Sequence, residues 1–270
     1  MQGLLFRRTR CDPVQSRCCM FYGKFEGNDK SIFQDSLKAL RRMFGSVYAQ
    51  DNLIALQRTA GFLTDKRFRA AFDRHAQSDQ EKSLGWRLHI LTWAAEHCLS
   101  VPGDFVECGV YRGFSFAVVA DYVDFASVQK NLFLYDTFAG IPEALNSENR
   151  SNARYEEETA EDPDAIYSHV VRTFAAYPNI KVVRGIIPDS FAEACPEQIA
   201  LLHVDLNSSK SEIAALEVLF DKVTPGGFVI FDDYGWVGYQ EQKRAEDIFA
   251  GDRGHQIVEL PTGQGLLIKR

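Results

Sequence analysis

Apolar residues recur along this chain at two different spacings, and the spacing changes at Pro102. Before it, Phe33, Leu37, Leu40 and Phe44 fall three and four residues apart with Lys38, Arg41 and Arg42 between them, which predicts a helix over Ser31–Phe44. Leu84, Leu88, Leu91, Ala95 and Cys98 predict a second helix over roughly Glu81–Leu99, ended by Pro102-Gly103. The polar stretch between them, with Asp65, Lys66, Arg67 and Arg69, is expected to be helical too. Residues 25–101 therefore read as a helical N-terminal extension, and residues 1–24 as a disordered tail.

After Pro102, short β-branched or aromatic runs alternate with amphipathic windows. Phe105–Val110, Asn131–Tyr135, Ile180–Arg184, Leu201–Val204 and Phe228–Phe231 read as strands. Helices are expected from about Ser115, over Ile166–Tyr177, around Ile213–Phe220 and over Gln240–Ala250. Such alternation implies a parallel sheet covered on both faces. The end breaks the pattern: Gln256–Leu260 and Gly265–Lys269 are separated only by Pro-Thr-Gly-Gln, a link that can join only antiparallel neighbours. Residues 102–270 are thus expected to form one α/β domain with a mostly parallel sheet and a reversed strand.

Composition narrows the partners. The 270 residues carry a formal charge of −7, which disfavours a nucleic-acid-binding surface. No run of 18 apolar residues is present, so no membrane span is expected, and Met1–Met20 lacks the apolar core of a secretory signal. The arginines there suit a basic tail or an upstream extension with the functional start at Met20. The six cysteines form no Cys-x-x-Cys pair, so neither a zinc site nor a disulfide framework is expected, and a reducing, cytoplasmic setting fits best.

The candidate chemistry gathers at the carboxyl ends of the strands, where ligands bind in open parallel sheets. The first strand runs into Glu107-Cys-Gly109-Val-Tyr-Arg-Gly113, a turn whose glycines let backbone approach a ligand. Asp136 ends the next strand, where a carboxylate can accept from both hydroxyls of a ribose. These two features suit NAD as well as S-adenosylmethionine, although the turn lacks Gly-x-Gly-x-x-Gly. Asp189-Ser190 follows the third strand, beside an adenine position or as a helix cap. His203-Val-Asp205-Leu-Asn207 and Asp232-Asp233 end the fourth and fifth strands, so Asp205, Asp232 and Asp233 are expected to share a rim. Three carboxylates need a cation or donors to offset them, and oxygen-only ligands suit Mg²⁺.

With these residues in place, the chain resembles the class I S-adenosylmethionine-dependent methyltransferases, and more closely the macrocin/mycinamicin sugar O-methyltransferases. The resemblance spans about Trp86 to Arg270. It rests on Pro102–Gly113, Leu134-Tyr-Asp-Thr-Phe-Ala-Gly-Ile-Pro142, His203-Val-Asp205 with Pro225–Gly235, and Pro261–Lys269. It implies a Rossmann-like, seven-stranded sheet with the last strand antiparallel. It further implies that Glu107 and Gly109 approach the cofactor's methionine part, Asp136 its ribose, and Asp189 and Ser190 its adenine, with Gly113 also among the cofactor-binding positions. Asp205, Asp232 and Asp233 would hold a divalent metal, with Mg²⁺ the expected ion.

One position departs from the resemblance. The sugar methyltransferases carry Asp-x-Asp at the fourth strand and use the second Asp as base, where this chain has Asn207. The proton acceptor is then another group or absent: His203, an aspartate of the rim, or a hydroxide held by the metal. Asn207 itself could serve as a ligand through its amide oxygen. The function expected is methyl transfer from S-adenosylmethionine to a hydroxyl of a sugar or other natural product, with a homo-oligomer as an open option. Trp86, Arg87 and His89 are candidates for a lid, and Tyr155 with Glu156–Glu158 for acceptor contacts. A non-catalytic cofactor-binding or assembly subunit and an NAD-dependent oxidoreductase are the alternatives.

Overall fold

The structure, a computed structural model, describes residue 21, residues 26–148, residues 150 and 152, and residues 164–270. In chain order its elements are α1 (Asp29–Phe44), β1 (Val47–Gln50), β2 (Leu53–Leu56), α2 (Lys66–His75), α3 (Asp79–Ser83), α4 (Gly85–Cys98), β3 (Asp104–Cys108), α5 (Phe114–Tyr122), β4 (Leu132–Asp136), α6 (Ala165–Phe174), β5 (Ile180–Arg184), β6 (Ile199–Val204), α7 (Ser209–Leu219), β7 (Val223–Phe231), α8 (Gln240–Asp252), β8 (Val258–Glu259) and β9 (Gly265–Ile268). Two compact units emerge. One holds the described residues up to Gly61 with Ala76–Gly85, the other Phe62–His75 with Trp86–Arg270. The division runs through the segment read from sequence as a helical extension.

In the smaller unit, Phe33, Leu37 and Leu40 of α1 form one face, and with Phe21 and Leu56 they pack around Val47 and Ala49. The sequence pattern gave this stretch helices only, but β1 and β2 form an antiparallel hairpin running from Val47↔Leu56 to Gln50↔Leu53. Asp51 and Asn52 turn it at φ of 52° and 55°, the two left-handed residues of a tight hairpin turn. Four-residue strands are too short to display alternation, and Asp-Asn is a weaker turn signal than Asn-Gly. The helix expected over Glu81–Leu99 is broken at Leu84. Its first piece, α3, begins with a capping box in which Ser78 Oγ accepts from Glu81 N–H at 3.1 Å and Glu81 Oε2 accepts from Ser78 N–H at 2.7 Å.

The larger unit carries a seven-stranded sheet in the order β5-β4-β3-β6-β7-β9-β8. Pairs β3–β4, β4–β5, β3–β6 and β6–β7 are parallel, whereas β9 runs antiparallel to both β7 and β8. This is the mostly parallel sheet with a reversed last strand that the terminal Pro-Thr-Gly-Gln link predicts, though β8 is shorter than Gln256–Leu260. All residues of β4 and β6 are buried, as continuous apolar runs require when helices cover both faces. Leu216, Leu219, Phe220, Phe249 and Ala250, from α7, α8 and the turn after α7, share a core with Leu202, Val204, Val229 and Phe231. Phe228 receives His97 from α4 in a stack at 4.6 Å.

The chain lays β3, β4 and β5 outward to one side, then returns to place β6 on the other flank of β3. The strand order reverses between β3 and β6, and the crevice at their carboxyl ends is where an open α/β sheet offers a binding site. Among the described residues no helix is long and apolar enough to cross a membrane. Cys98 and Cys108 are buried free thiols, and burial pushes the Cys98 thiol up to about 12, so both act as small core residues. Cys11, Cys18 and Cys19 lie outside the described residues, as does the expected tail of residues 1–24 except Phe21, which packs on Phe33 instead of standing in a disordered tail.

Candidate active site

A cavity of about 450 Å³ opens at this crevice, lined among others by Gly109, Asp136, Gly185, Ile187, Asp205, Asn207, Arg150 and Tyr239. Its size falls in the range of small-ligand sites. Gly109 sits at φ of +93°, and a Cβ there would lie 1.8 Å from the Asp205 carbonyl oxygen. The ends of β3 and β6 can therefore meet backbone to backbone only because residue 109 has no side chain. Gly113 has another task. It starts α5 at φ of +78°, with the Phe174 ring 3.0 Å from where a Cβ would stand, and does not line the cavity.

Asp136 grips the glycine turn. Its Oδ2 accepts from Val110 N–H at 2.7 Å and from Tyr111 N–H at 2.8 Å, while Oδ1 accepts from Phe138 N–H at 2.7 Å. Oδ2 thus already accepts twice, and Oδ1 has besides Phe138 only a long contact from Thr137 Oγ1 at 3.5 Å, so capacity for one ribose hydroxyl persists at Oδ1. Ser190 is buried with an Oγ that has no partner, close against Gly185, while Asp189 is exposed. An orphaned buried hydroxyl beside a cavity-lining glycine suits a ligand with a polar edge, such as a nucleobase.

Behind the cavity lies a charged layer. Glu107 and His203 are each 1% exposed and occupy paired positions on β3 and β6, with Glu107 Oε1 3.2 Å from His203 Nδ1. His203 Nε2 stands 3.6 Å from Asp232 Oδ1. Burial opposes a charge on His203, but the attraction of Asp232 and the hydrogen bond and attraction of Glu107 outweigh it and push the imidazole up to about 10. Burial pushes Glu107 up to about 7 against the pull of His203. The imidazole is buried, absent from the cavity lining and held between two carboxylates that favour its charged form, a poor arrangement for a proton acceptor.

The three aspartates do converge, but the cation between two of them belongs to the protein. Arg87 Nη1 donates to Asp232 Oδ2 at 2.5 Å and to Asp233 Oδ1 at 3.1 Å, and its guanidinium lies 4.7 Å from the Trp236 ring centre. Gln264 Nε2 donates to the other Asp232 oxygen at 3.0 Å. Burial works against the Asp232 carboxylate, yet Arg87, His203 and Gln264 hold it below the usual range. Asp205 is pushed well above that range by burial and by the Asp232 and Asp233 charges. Among the described residues no group of carboxylates, cysteines and histidines is arranged to hold a metal ion. The expected Mg²⁺ therefore does not fit the rim as it stands, because a guanidinium engages two of its three carboxylates.

Asn207 adopts φ of +57°, a left-handed conformation that asparagine tolerates. Tyr239 O–H donates to its Oδ1 at 2.7 Å, and its Nδ2 donates to Asp205 Oδ1 at 2.9 Å. The amide thus orients Asp205 within the cavity. Arg87 appeared in the sequence reading only as a lid candidate; its neighbours Trp86 and His89 pack on Phe62 at 5.4 and 5.0 Å. Arg150 and Tyr239 were not foreseen, since no motif surrounds them. Tyr155 and Glu156–Glu158 lie outside the described residues.

Residues 19–256 match the family model of macrocin-O-methyltransferase (TylF). Curated relatives include an 8-demethyl-8-(2,3-dimethoxy-alpha-L-rhamnosyl)-tetracenomycin-C 4'-O-methyltransferase of Streptomyces olivaceus, 31% identical over 55% of this chain and 60% of that protein. Mycinamicin III 3''-O-methyltransferase of Micromonospora griseorubida is 26% identical over 52% of this chain and 60% of its own length. The chain spans at most 60% of the length of these curated relatives. Among solved structures, the O-methyltransferase NovP aligns with a TM-score of 0.54 at 23% identity, over 68% of this chain and 79% of its own. The calicheamicin methyltransferase CalS11 aligns at 0.53 and 18%, over 92% and 95%; at such identities the likeness is one of fold. The family match covers most of the sequence, including every strand that borders the cavity, and on that ground the chain belongs to the macrocin-O-methyltransferase (TylF) family.

Proposed function

We propose that this protein binds S-adenosylmethionine in the cavity at the β3/β6 crevice and methylates a hydroxyl of a small acceptor, a sugar or other natural product. The observation that carries the reading is the lining of that cavity. It joins a glycine turn clamped by Asp136, an unpartnered Ser190 hydroxyl close by, and a pocket-facing Asp205 in a chain of this family.

In this reading Gly109 keeps the turn narrow enough for a methionine moiety, Asp136 fixes the turn and meets the ribose, and Ser190 meets the adenine. When bound, the cofactor supplies a sulfonium methyl whose bond to sulfur breaks as the bond to the acceptor oxygen forms. Asp205 takes the acceptor's proton at Oδ2, the oxygen that Asn207 does not hold. The protein's main contribution is alignment of the acceptor and exclusion of water.

The test titrates the full chain with S-adenosylmethionine, S-adenosylhomocysteine and NAD, then follows label from S-adenosylmethionine into a panel of sugars and glycosylated natural products by mass spectrometry. Binding of the sulfonium cofactor and its product but not NAD is expected, with O-methyl products that survive EDTA. Binding of NAD alone sinks the reading. Cofactor binding without turnover across the panel favours a non-catalytic subunit, to which the missing second aspartate at Asn207 gives some weight.

A further inference from the structure

Arg150 lines the same cavity and takes no part in the methyl-transfer reading. Its position is fixed at both ends. Asn146 holds the backbone, accepting from Arg150 N–H through Oδ1 at 2.8 Å and donating from Nδ2 to the Arg150 carbonyl at 2.9 Å. The guanidinium carbon lies over the Tyr239 ring, 3.6 Å from its centre, and Nη2 donates to the Gly238 carbonyl at 3.0 Å. Its Nε is buried without a partner. Among the described residues, Asp233 pairs with Arg87, Glu148 accepts from Ser147 and Ser209, and one Asp205 oxygen accepts from Asn207. Stacking on one face leaves the donors of a guanidinium pointing outward in its plane, where a planar fork suits an oxyanion. Tyr239 and Asn207 then link this cation through hydrogen bonds to Asp205.

We propose that Arg150, stacked on Tyr239, is an oxyanion subsite in the acceptor half of the cavity, so that the natural acceptor bears a carboxylate or phosphate near the hydroxyl presented to Asp205. This rests on the methyltransferase reading for the word acceptor, while the anion site stands on the geometry alone. A sugar acid and a sugar phosphate share the required chemistry. The pinned backbone and stacked side chain mean that little order has to be acquired on binding, so the charge preference should be large.

The experiment titrates the full chain, with and without S-adenosylhomocysteine, with D-glucuronate, D-glucose 1-phosphate and D-glucose. At least one anionic sugar is expected to bind roughly ten- to hundred-fold more tightly than glucose, the range of a charge-assisted hydrogen-bonded pair. Which one does so separates the two sources. Arg150→Met should remove the margin while leaving S-adenosylhomocysteine affinity in place. If that variant does not fold, Arg150→Lys is read instead, and its margin should shrink several-fold because an ammonium lacks the planar fork. Equal binding of all three sugars, binding of none, or a margin that survives the substitution overturns the assignment. Failure of S-adenosylhomocysteine to bind, with the sugar margin intact, counts against the methyltransferase reading and not against the subsite.

Discussion

Removing the guanidinium of Arg87 should unbalance the whole carboxylate rim. The Arg87 side chain is 8% exposed, and its partners Asp232 and Asp233 are 18% and 15% exposed, so little water is at hand to screen what remains. Arg87→Met keeps most of the side chain's bulk but takes from Asp232 and Asp233 the cation that bridges them, leaving His203 beside Asp232. Breaking a buried ion pair by removing one partner costs about 3–5 kcal/mol, because an uncompensated charge is left behind. Part is recovered when the carboxylates take up protons, so we expect about 2–4 kcal/mol near neutral pH. For a domain of this size that corresponds to a fall in melting temperature of roughly 4–16 °C. Thermal melts at pH 5, 7 and 8 measure it, with the loss smallest at pH 5 where protonation helps most. Two results would refute the reasoning: a change under about 1 °C at pH 7, or a large rise in the wild-type melting temperature on adding Mg²⁺. The latter would mean that the wild-type rim takes a metal ion beside its own guanidinium.

Three further outcomes follow from the geometry. Gly109→Ala should abolish S-adenosylhomocysteine binding and cost roughly 3 kcal/mol or more in urea unfolding, since the Cβ would stand 1.8 Å from the Asp205 carbonyl at a left-handed φ; near-native affinity would contradict this. Glu212 and Glu246 are buried against each other, and burial with mutual repulsion raises Glu212 while burial raises Glu246. Carboxyls raised in the folded state give their stability in full below the unfolded pKa of about 4.3 and lose it as pH rises through the folded value. Glu246→Gln should therefore gain stability relative to wild type as pH rises from 5 to 8, and parallel melting curves would dismiss the idea. Asn207→Asp should fold, because aspartate also tolerates a left-handed φ. It should shift the pH dependence of methyl transfer by adding a second carboxylate beside Asp205, and an unchanged pH–rate profile would leave residue 207 without a chemical role.

Much of the larger unit was legible in the sequence because its signals are local. Continuous apolar runs marked the strands, and the short Pro-Thr-Gly-Gln link forced an antiparallel end. Placement of the strand ends then followed, bringing Gly109, Asp136 and Asp205 to one cavity. What escaped depends on contacts between distant positions. Arg87 sits 145 residues from Asp232, and nothing in its helix announces which carboxylates it will meet. His203 looked like a possible base because alternation put it on one sheet face, but alternation does not say that it will be buried beside Glu107. Arg150 and Tyr239 come from loops whose sequences have no period. The β1–β2 hairpin was missed for the opposite reason, being too short for its own period to register.

The reversal of strand order between β3 and β6 has a consequence for how the protein comes to be active. The cavity takes Gly109 from one side of that reversal and Asp205 from the other, 96 positions later in the chain. A nascent chain that has completed β3, β4 and β5 owns the glycine turn and Asp136 but only one wall of the cleft. Ligand binding is therefore a property of the closed sheet, and a bound ligand, by favouring only that state, stabilises the entire larger unit by mass action. A chain that holds a ligand in this cavity has therefore already placed β6.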